Sequence, residues 1–223
     1  MIRLNKLLAE RLSISRRKAD SLIADGKVSV NGQTAENGCL INIDQDTVLV
    51  NDKALPAKKP DLTILFNKPT GFVCSRNSQG NNTIYDILPK KYQHLNPIGR
   101  LDKNSGGLLV LTSNGELNYY LSHPSNEKKK VYIVHINKPL SSADESSLQN
   151  GVQLSDGISI LKLSKLDKNG NRWLVTLYEG RNRQIRRSFE ACRYKVTKLI
   201  RISFGDFSID QVPKPNDILE LKQ

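Results

Sequence analysis

Cysteine is scarce and scattered. Cys39, Cys74 and Cys192 are the only three in 223 residues, an odd number without metal-ligand spacing. No disulfide framework organises such a chain; a reduced, cytoplasmic setting follows, each thiol serving as a small buried hydrophobe. His94, His123 and His135 are as dispersed, so no metal site is expected. No apolar run approaches the roughly 18 residues of a membrane span, and no secretory signal opens the chain, so a membrane partner is not expected. A phosphate-cradling glycine loop is missing, which argues against a nucleotide cofactor. There is no internal repeat and no low-complexity tail. Acid is in deficit, with 22 Asp and Glu against 34 Lys and Arg, for a net charge of +12. That balance calls for a polyanionic partner, and on charge alone RNA, DNA and acidic membrane stay open.

What is present suits one small unit and one of medium size. Leu4, Leu7, Leu8 and Leu12 recur at helical spacing. Ser15 is a candidate N-cap for a second helix, whose Ala19, Leu22 and Ile23 face inward until Gly26. Val28-Ser29-Val30 alternates like a strand, Asn31-Gly32 is a hairpin signal, and Ile41, Ile43, Val48 and Val50 suggest further short strands. Arg16, Arg17 and Lys18 crowd the start of the second helix, where the macrodipole disfavours cations unless anions are near, and a phosphate backbone supplies anions. The bland reading of this cluster is a solvated helix end. Residues 52–60, with two prolines and three lysines, read as a linker between a unit at 1–51 and another at 61–223.

In the larger unit, strands are expected at Thr63–Phe66, Leu108–Thr112, Val131–Ile136, Ile158–Leu163, Trp173–Tyr178 and Lys198–Ser203, with helices at Gly115–Ser122, Ser141–Asn150 and Arg183–Arg193. Strands outnumber helices without regular alternation, which indicates α+β with a mainly antiparallel sheet. Residues 1–60 carry a net +3 and the remainder +9, and eight basic residues crowd the stretch from Tyr178 to Arg201. In the late helix Ile185, Phe189 and Cys192 form an apolar stripe, while Arg183, Arg186 and Arg187 share another face. Like charges at that spacing repel by a few tenths of a kcal/mol per pair. Such a face is expected to meet phosphates.

The most informative stretch is Gly99-Arg100-Leu101-Asp102-Lys103-Asn104-Ser105-Gly106-Gly107, followed by the apolar run Leu108–Leu111. It sets one carboxylate on a polar turn beside a buried strand, a good way to present a reactive acid. The commoner fate of such an Asp is to bond its own turn.

This segment resembles the signature of the pseudouridine synthases, and within them the RsuA-like family that modifies ribosomal RNA. Asn67-Lys68-Pro69-Thr70-Gly71 resembles the opening of the family's catalytic domain, Lys130-Val131-Tyr132-Ile133-Val134 its tyrosine segment, and Glu179-Gly180-Arg181-Asn182-Arg183-Gln184-Ile185-Arg186-Arg187 its late basic motif. The four motifs follow the family's order across residues 61 to about 205. Ser105 stands where the family usually has Thr, and Lys129 where it usually has an acid. The N-terminal pattern resembles the S4-type RNA-binding module, with Arg3, Arg16, Arg17 and Lys18 as its RNA contacts.

The resemblance implies an enzyme that breaks the bond from sugar to uracil nitrogen, rotates the base and rejoins it through carbon, with no cofactor or metal. It makes Asp102 the catalytic carboxylate, as nucleophile or as proton acceptor. Arg181 becomes the partner keeping that acid ionised in a closed pocket. Tyr132 stacks on the uracil and lies near the proton lost from carbon, and Ile185 packs on the other side of the ring. Arg100 fills the gap left by the flipped base or holds a phosphate. Lys68, Arg183, Arg186 and Arg187 complete the substrate contacts. The expected partner is ribosomal RNA, with the chain acting as a monomer. Gly151–Gly157 and Leu199–Ile202 look closer to the large-subunit members. The alternatives are a small-subunit enzyme, a ribosome assembly factor that binds RNA without catalysis, and a regulatory RNA-binding protein.

Overall fold

The computed structural model describes residues 1–78 and 80–222. They fall into two compact units that divide between Asp61 and Leu62. The first contains β1 (Ile2–Arg3), α1 (Leu4–Leu12), α2 (Arg16–Ala24), β2 (Val28–Val30), β3 (Gln33–Thr34), β4 (Leu40–Ile41), β5 (Val48–Val50) and β6 (Lys53–Ala54). Leu4, Leu7 and Leu8 of α1 pack on Ala19 and Ile23 of α2 and on Val28, Ile41 and Val48. The Ser15 hydroxyl accepts from the Lys18 amide at 3.1 Å, closing the first turn of α2 as its sequence suggests. Asn31 and Gly32 both take positive φ at the β2–β3 turn, the geometry that makes Asn-Gly a hairpin signal.

Two expectations fail here. Residues 52–60 are not wholly a linker, since β6 pairs with β5 through Leu49↔Ala54 and Val50↔Lys53. The turn between them is Asn51-Asp52, both left-handed, a conformation these short polar side chains tolerate without glycine. Ile43 is 48 % exposed and lies in a turn rather than a strand.

The second unit runs β7 (Thr63–Lys68), α3 (Ile84–Ile87), β8 (Asn96–Ile98), β9 (Gly106–Thr112), α4 (Gly115–Ser122), β10 (Lys130–Ile136), α5 (Ser142–Asn150), β11 (Val152–Leu154), β12 (Gly157–Ser159), β13 (Lys162–Lys165), β14 (Arg172–Leu177), α6 (Gln184–Ala191), β15 (Val196–Phe204), β16 (Phe207–Ser208) and β17 (Ile218–Leu221). Its main sheet is ordered β13-β14-β10-β15-β9-β7-β17, with β16 on β15 and β8 on β9. Every pairing in it is antiparallel except β15 with β9. The class is therefore α+β with a mainly antiparallel mixed sheet. Among the described residues no helix is long and apolar enough to cross a membrane.

Central strand β9 explains the apolar run that marks it. Leu109 and Leu111 enter the cluster on one face, and Leu108 and Val110 the cluster on the other. Each such side chain contributes about 1.5–3 kcal/mol on burial. The strand read as Ile158–Leu163 is two pieces instead: β12 pairs with β11 in a separate hairpin, and β13 joins the main sheet. Between them the Leu161 amide bonds the Leu148 carbonyl at the end of α5, which breaks the run.

The single parallel pairing joins two halves of the sheet and depends on glycine. Gly107 stands opposite Arg201 at φ +100°, and a Cβ there would lie 2.3 Å from the Arg201 carbonyl oxygen. Only glycine allows this approach. The turn carrying Asp102 enters β9 at this junction.

Candidate active site

The turn is built from its backbone outward. Ser105 donates its amide to the Asp102 carbonyl at 3.0 Å, which makes Asp102 the first residue of a β-turn, a position that favours Asp. Its carboxylate does not serve the turn. Among the described residues it accepts no hydrogen bond, and its one ion pair is with Arg183, Nη1 to Oδ2 at 3.8 Å. The common fate of a turn aspartate does not apply, and the acid is left available for chemistry.

This corrects the expected pairing. The guanidinium beside Asp102 belongs to Arg183, not Arg181. Arg181 turns away to the β11–β12 hairpin, donating to the carbonyls of Asp156, Gly157 and Ile158 at 2.8–3.2 Å and to the carboxylates of Asp156 and Glu179. The reason is local. Arg183 is the N-cap of α6 and takes a left-handed conformation, φ 48° and ψ 29°, which moves its side chain off the direction an extended residue would have. A cation at a helix N-terminus is unfavourable, and Asp102 compensates it. The pocket also differs from expectation, because the Asp102 side chain is 30 % exposed in the free protein rather than sealed.

Tyr132 on β10 and Ile185 on α6 do lie in one apolar cluster, together with Leu101, the residue before Asp102. Tyr132 is paired across the sheet with Arg201 and Val175, and its hydroxyl makes no hydrogen bond among the described residues. Arg100 is exposed, with no hydrogen-bond or ion-pair partner among them.

Other residues expected to contact substrate are occupied within the protein. Lys68 is 1 % exposed, and its ammonium donates to the carbonyls of Pro69, Asp102 and Ser105 at 2.9, 3.3 and 2.8 Å. Burial pushes its pKa down, opposed by Cys74 and Asp102. Its ammonium lies beneath the turn. Arg187 forms a two-pronged pair with Asp156, 3.0 and 2.7 Å. Arg186 donates to the carbonyls of Val196 and Asn104 at 2.9 and 2.7 Å. The charged face of α6 thus avoids self-repulsion by sending each guanidinium to a different acceptor of the protein itself. A cleft of about 680 Å³ opens beside it, lined in part by Asn104, Arg183, Arg186 and Thr197.

Sequence reasoning missed Asp156. Its carboxyl is held below the ordinary aspartate range, chiefly by the hydrogen bonds from Arg187, and it anchors the hairpin to α6. Two basic residues within reach of one acid, 25 and 31 positions away, left no periodic trace. Of the two departures from the family pattern, Ser105 keeps its hydroxyl 3.5 Å from Arg186. Nothing in the structure explains Lys129, which is exposed.

A mixed sheet presents one carboxylate that accepts no hydrogen bond among the described residues, beside an arginine and bordering an apolar cluster with a tyrosine. The comparisons supply the class. The family described as RNA pseudouridylate synthase matches residues 62–191, and the S4 domain matches residues 2–38. Relatives named ribosomal large subunit pseudouridine synthase B are similar over most of the chain. The protein of Yersinia pestis is 36 % identical over 217 residues, covering 93 % of this chain and 68 % of its own. That of Escherichia coli K12 is 37 % identical over 220 residues, covering 93 % and 75 %. A crystal structure of a pseudouridylate synthase superposes with a TM-score of 0.70 at 27 % identity, over all of this chain and 96 % of its own. The chain belongs to the RNA pseudouridylate synthase family.

Proposed function

We propose that this enzyme converts a uridine of large-subunit ribosomal RNA to pseudouridine, with Asp102 as its catalytic carboxylate. The observation that carries the reading is the Asp102 side chain. It sits on a turn whose backbone is hydrogen-bonded, accepts no hydrogen bond among the described residues, and faces one arginine. An acid that only stabilised its turn would bond the turn's amides.

The reaction isomerises and neither oxidises nor adds a group. The target nucleotide is turned out of its stack at a cost of a few kcal/mol. Exposed Arg100 supports the gap or a neighbouring phosphate. The uracil enters against the Tyr132 ring, with Ile185 on its other face. Asp102 then acts at the sugar, as nucleophile or as acceptor of a sugar proton, while the bond to nitrogen breaks. Arg183 keeps that carboxylate ionised once RNA excludes water. The free Tyr132 hydroxyl is the group nearest in kind to the task of carrying off the proton displaced from carbon. The N-terminal unit, residues 1–61, is the RNA anchor and residues 62–223 the catalytic domain, and the chain works as a cytoplasmic monomer.

Replacing Asp102 by Asn tests this. Product formation is expected to vanish, while affinity for ribosomal RNA stays within a few-fold. Unchanged conversion would remove Asp102 from the chemistry, and lost binding would assign it to recognition.

A further inference from the structure

A second cleft, of about 320 Å³, lies between the segment that follows α4 and the edge where β13 starts and β14 ends. Ile160 and Tyr178 supply apolar surface to it, with Pro124 on the side of the α4–β10 segment. Ile160 and Tyr178 are 56 % and 41 % exposed, and nearby Tyr120 is 51 % exposed, so the protein leaves these large side chains uncovered. Lysines attend both tyrosines. The Lys162 ammonium is 5.3 Å from the centre of the Tyr178 ring, and that of Lys128 is 3.5 Å from the centre of the Tyr120 ring. Lys130 donates to the Lys128 carbonyl at 3.1 Å, which ties down the backbone of this lysine run. Two carboxylates border the cleft, and they differ. Glu179 is engaged by Arg181 and Gln184. Glu127 stands in a left-handed conformation, φ 42° and ψ 42°, and its carboxylate meets no hydrogen-bond or ion-pair partner among the described residues.

We propose that this cleft is a second RNA subsite, which takes one unpaired nucleotide of the substrate other than the uridine that reacts. Its base lies against Tyr178 and Ile160, its N–H edge meets Glu127, and its phosphates meet Lys128 and Lys162. This rests on RNA being the substrate. The volume is at the small end for a ligand site and suits one base. Exposed aromatic rings with cations beside them are what single-stranded nucleic acid stacks on, because every base has a π-face. Bases within a duplex are covered by their neighbours, so the one taken is unpaired. Glu127 adds a preference. A carboxylate only accepts, so it favours a base edge that donates. Guanine offers two adjacent N–H groups, whereas uracil offers one between two carbonyls. A surface that met phosphate alone would be weakened by a free glutamate, which repels it. A second copy of this chain fits poorly, since a self-complementary contact would set the same lysines against each other. Lys129, exposed between Lys128 and Lys130, gains a phosphate to meet.

The test uses the full-length protein and a fragment of large-subunit ribosomal RNA that wild type binds. Tyr178→Ala is expected to weaken affinity at least about fivefold, the loss that one stacked base implies, with kcat at saturating RNA within about twofold. Tyr178→Phe keeps the ring and is expected to bind like wild type. Lys128→Gln combined with Lys162→Gln is expected to make the slope of log affinity against log salt shallower by about 1.5, at roughly 0.7–0.9 per contact. These surface substitutions carry the test if Tyr178→Ala does not fold. Glu127→Gln is expected to weaken binding several-fold, because the amide gives up one of two acceptors. Tighter or unchanged binding in Glu127→Gln takes the base away from that carboxylate and overturns the proposal. So does unchanged affinity in Tyr178→Ala with an unchanged slope in the lysine pair. A wild-type dimer that Tyr178→Ala dissociates makes the cleft an interface between copies and overturns it too. If wild type binds the fragment and makes no pseudouridine, the proposed function fails, and affinity and salt slope still judge the cleft.

Discussion

Two basic stretches of this chain point to RNA by their sequence, residues 16–18 and residues 181–187, and their side chains are used in different ways. In α2, Arg16, Arg17 and Lys18 are all exposed. Arg16 touches Asn5, while the side chains of Arg17 and Lys18 meet no partner among the described residues. Around α6 the exposure is lower, 19 % for Arg181 and 24 % for Arg187, and nearly every terminal amine lies on a carbonyl or carboxylate of the protein. Charge density alone therefore does not mark an RNA surface. On the proposed function the unengaged cations are the candidates for phosphate contact, while the engaged ones bond a turn, a carboxylate and a hairpin of the protein itself.

Arg183 stands between these cases, half exposed yet paired with Asp102, and it gives the sharpest way to break the comparison. Removing a preorganised electrostatic partner from a reacting group costs on the order of a hundredfold in kcat. Arg183→Gln is expected to show that loss in a steady-state assay with thermal stability nearly unchanged. Arg181→Gln is expected to do the reverse, with the midpoint of unfolding lowered and kcat reduced less. If Arg181→Gln proves the more inactive of the two, the pairing of Asp102 with Arg183 is not the one used in catalysis.

Arg17 and Lys18 offer the second test, with smaller effects. Each phosphate contact removed makes the salt slope shallower by about 0.7–0.9. Arg17→Gln combined with Lys18→Gln is expected to weaken RNA binding several-fold and to flatten that slope, while stability changes by less than about 0.5 kcal/mol. The same substitutions leave kcat at saturating RNA untouched. Binding unaffected at low salt means that this helix end is merely solvated.

Much of this was legible in the residues, for identifiable reasons. β9 was readable because a strand buried on both faces is apolar at every position, and Asp102 stood out because an acid on a glycine-bearing turn precedes that run. Ser15 and Asn31-Gly32 were readable because capping and left-handed turns need particular side chains. The Asn51-Asp52 turn was harder, since neither residue is glycine, and β6 was lost with it. The roles of Lys68, Arg181 and Arg186 were not legible at all. Helical spacing says which side chains share a face, but the acceptors they choose are backbone carbonyls on segments remote in sequence. Arg186 reaches the Asn104 carbonyl 82 residues away, and a carbonyl has no residue type to announce it. The swap between Arg181 and Arg183 has a similar cause. It turns on one left-handed residue at the start of α6, and nothing in Arg183 itself advertises a positive φ.

Asp156 separates scaffold from site by pH, with the smallest expected effect. Arg187 and Arg181 hold its carboxylate, and its pKa lies below the ordinary aspartate value of about 3.9. The sign follows from linkage. A group whose folded pKa is depressed contributes stability that is fully present above the unfolded value and is lost as pH falls through the folded one. The tie between the β11–β12 hairpin and α6 is therefore expected to persist as pH drops through the range where free aspartates protonate, and to release only below it. Hydrogen exchange at the hairpin amides reads this directly, with the β9 amides as an internal reference. Asp156→Asn should lose the pH dependence and show a loosened hairpin at neutral pH, with the β9 amides still protected. Being exposed, the pair contributes little to global stability. Hairpin protection that fades in step with ordinary carboxylates would mean the two arginines are not holding it, and that the contrast between engaged and unengaged cations is weaker than the static contacts indicate.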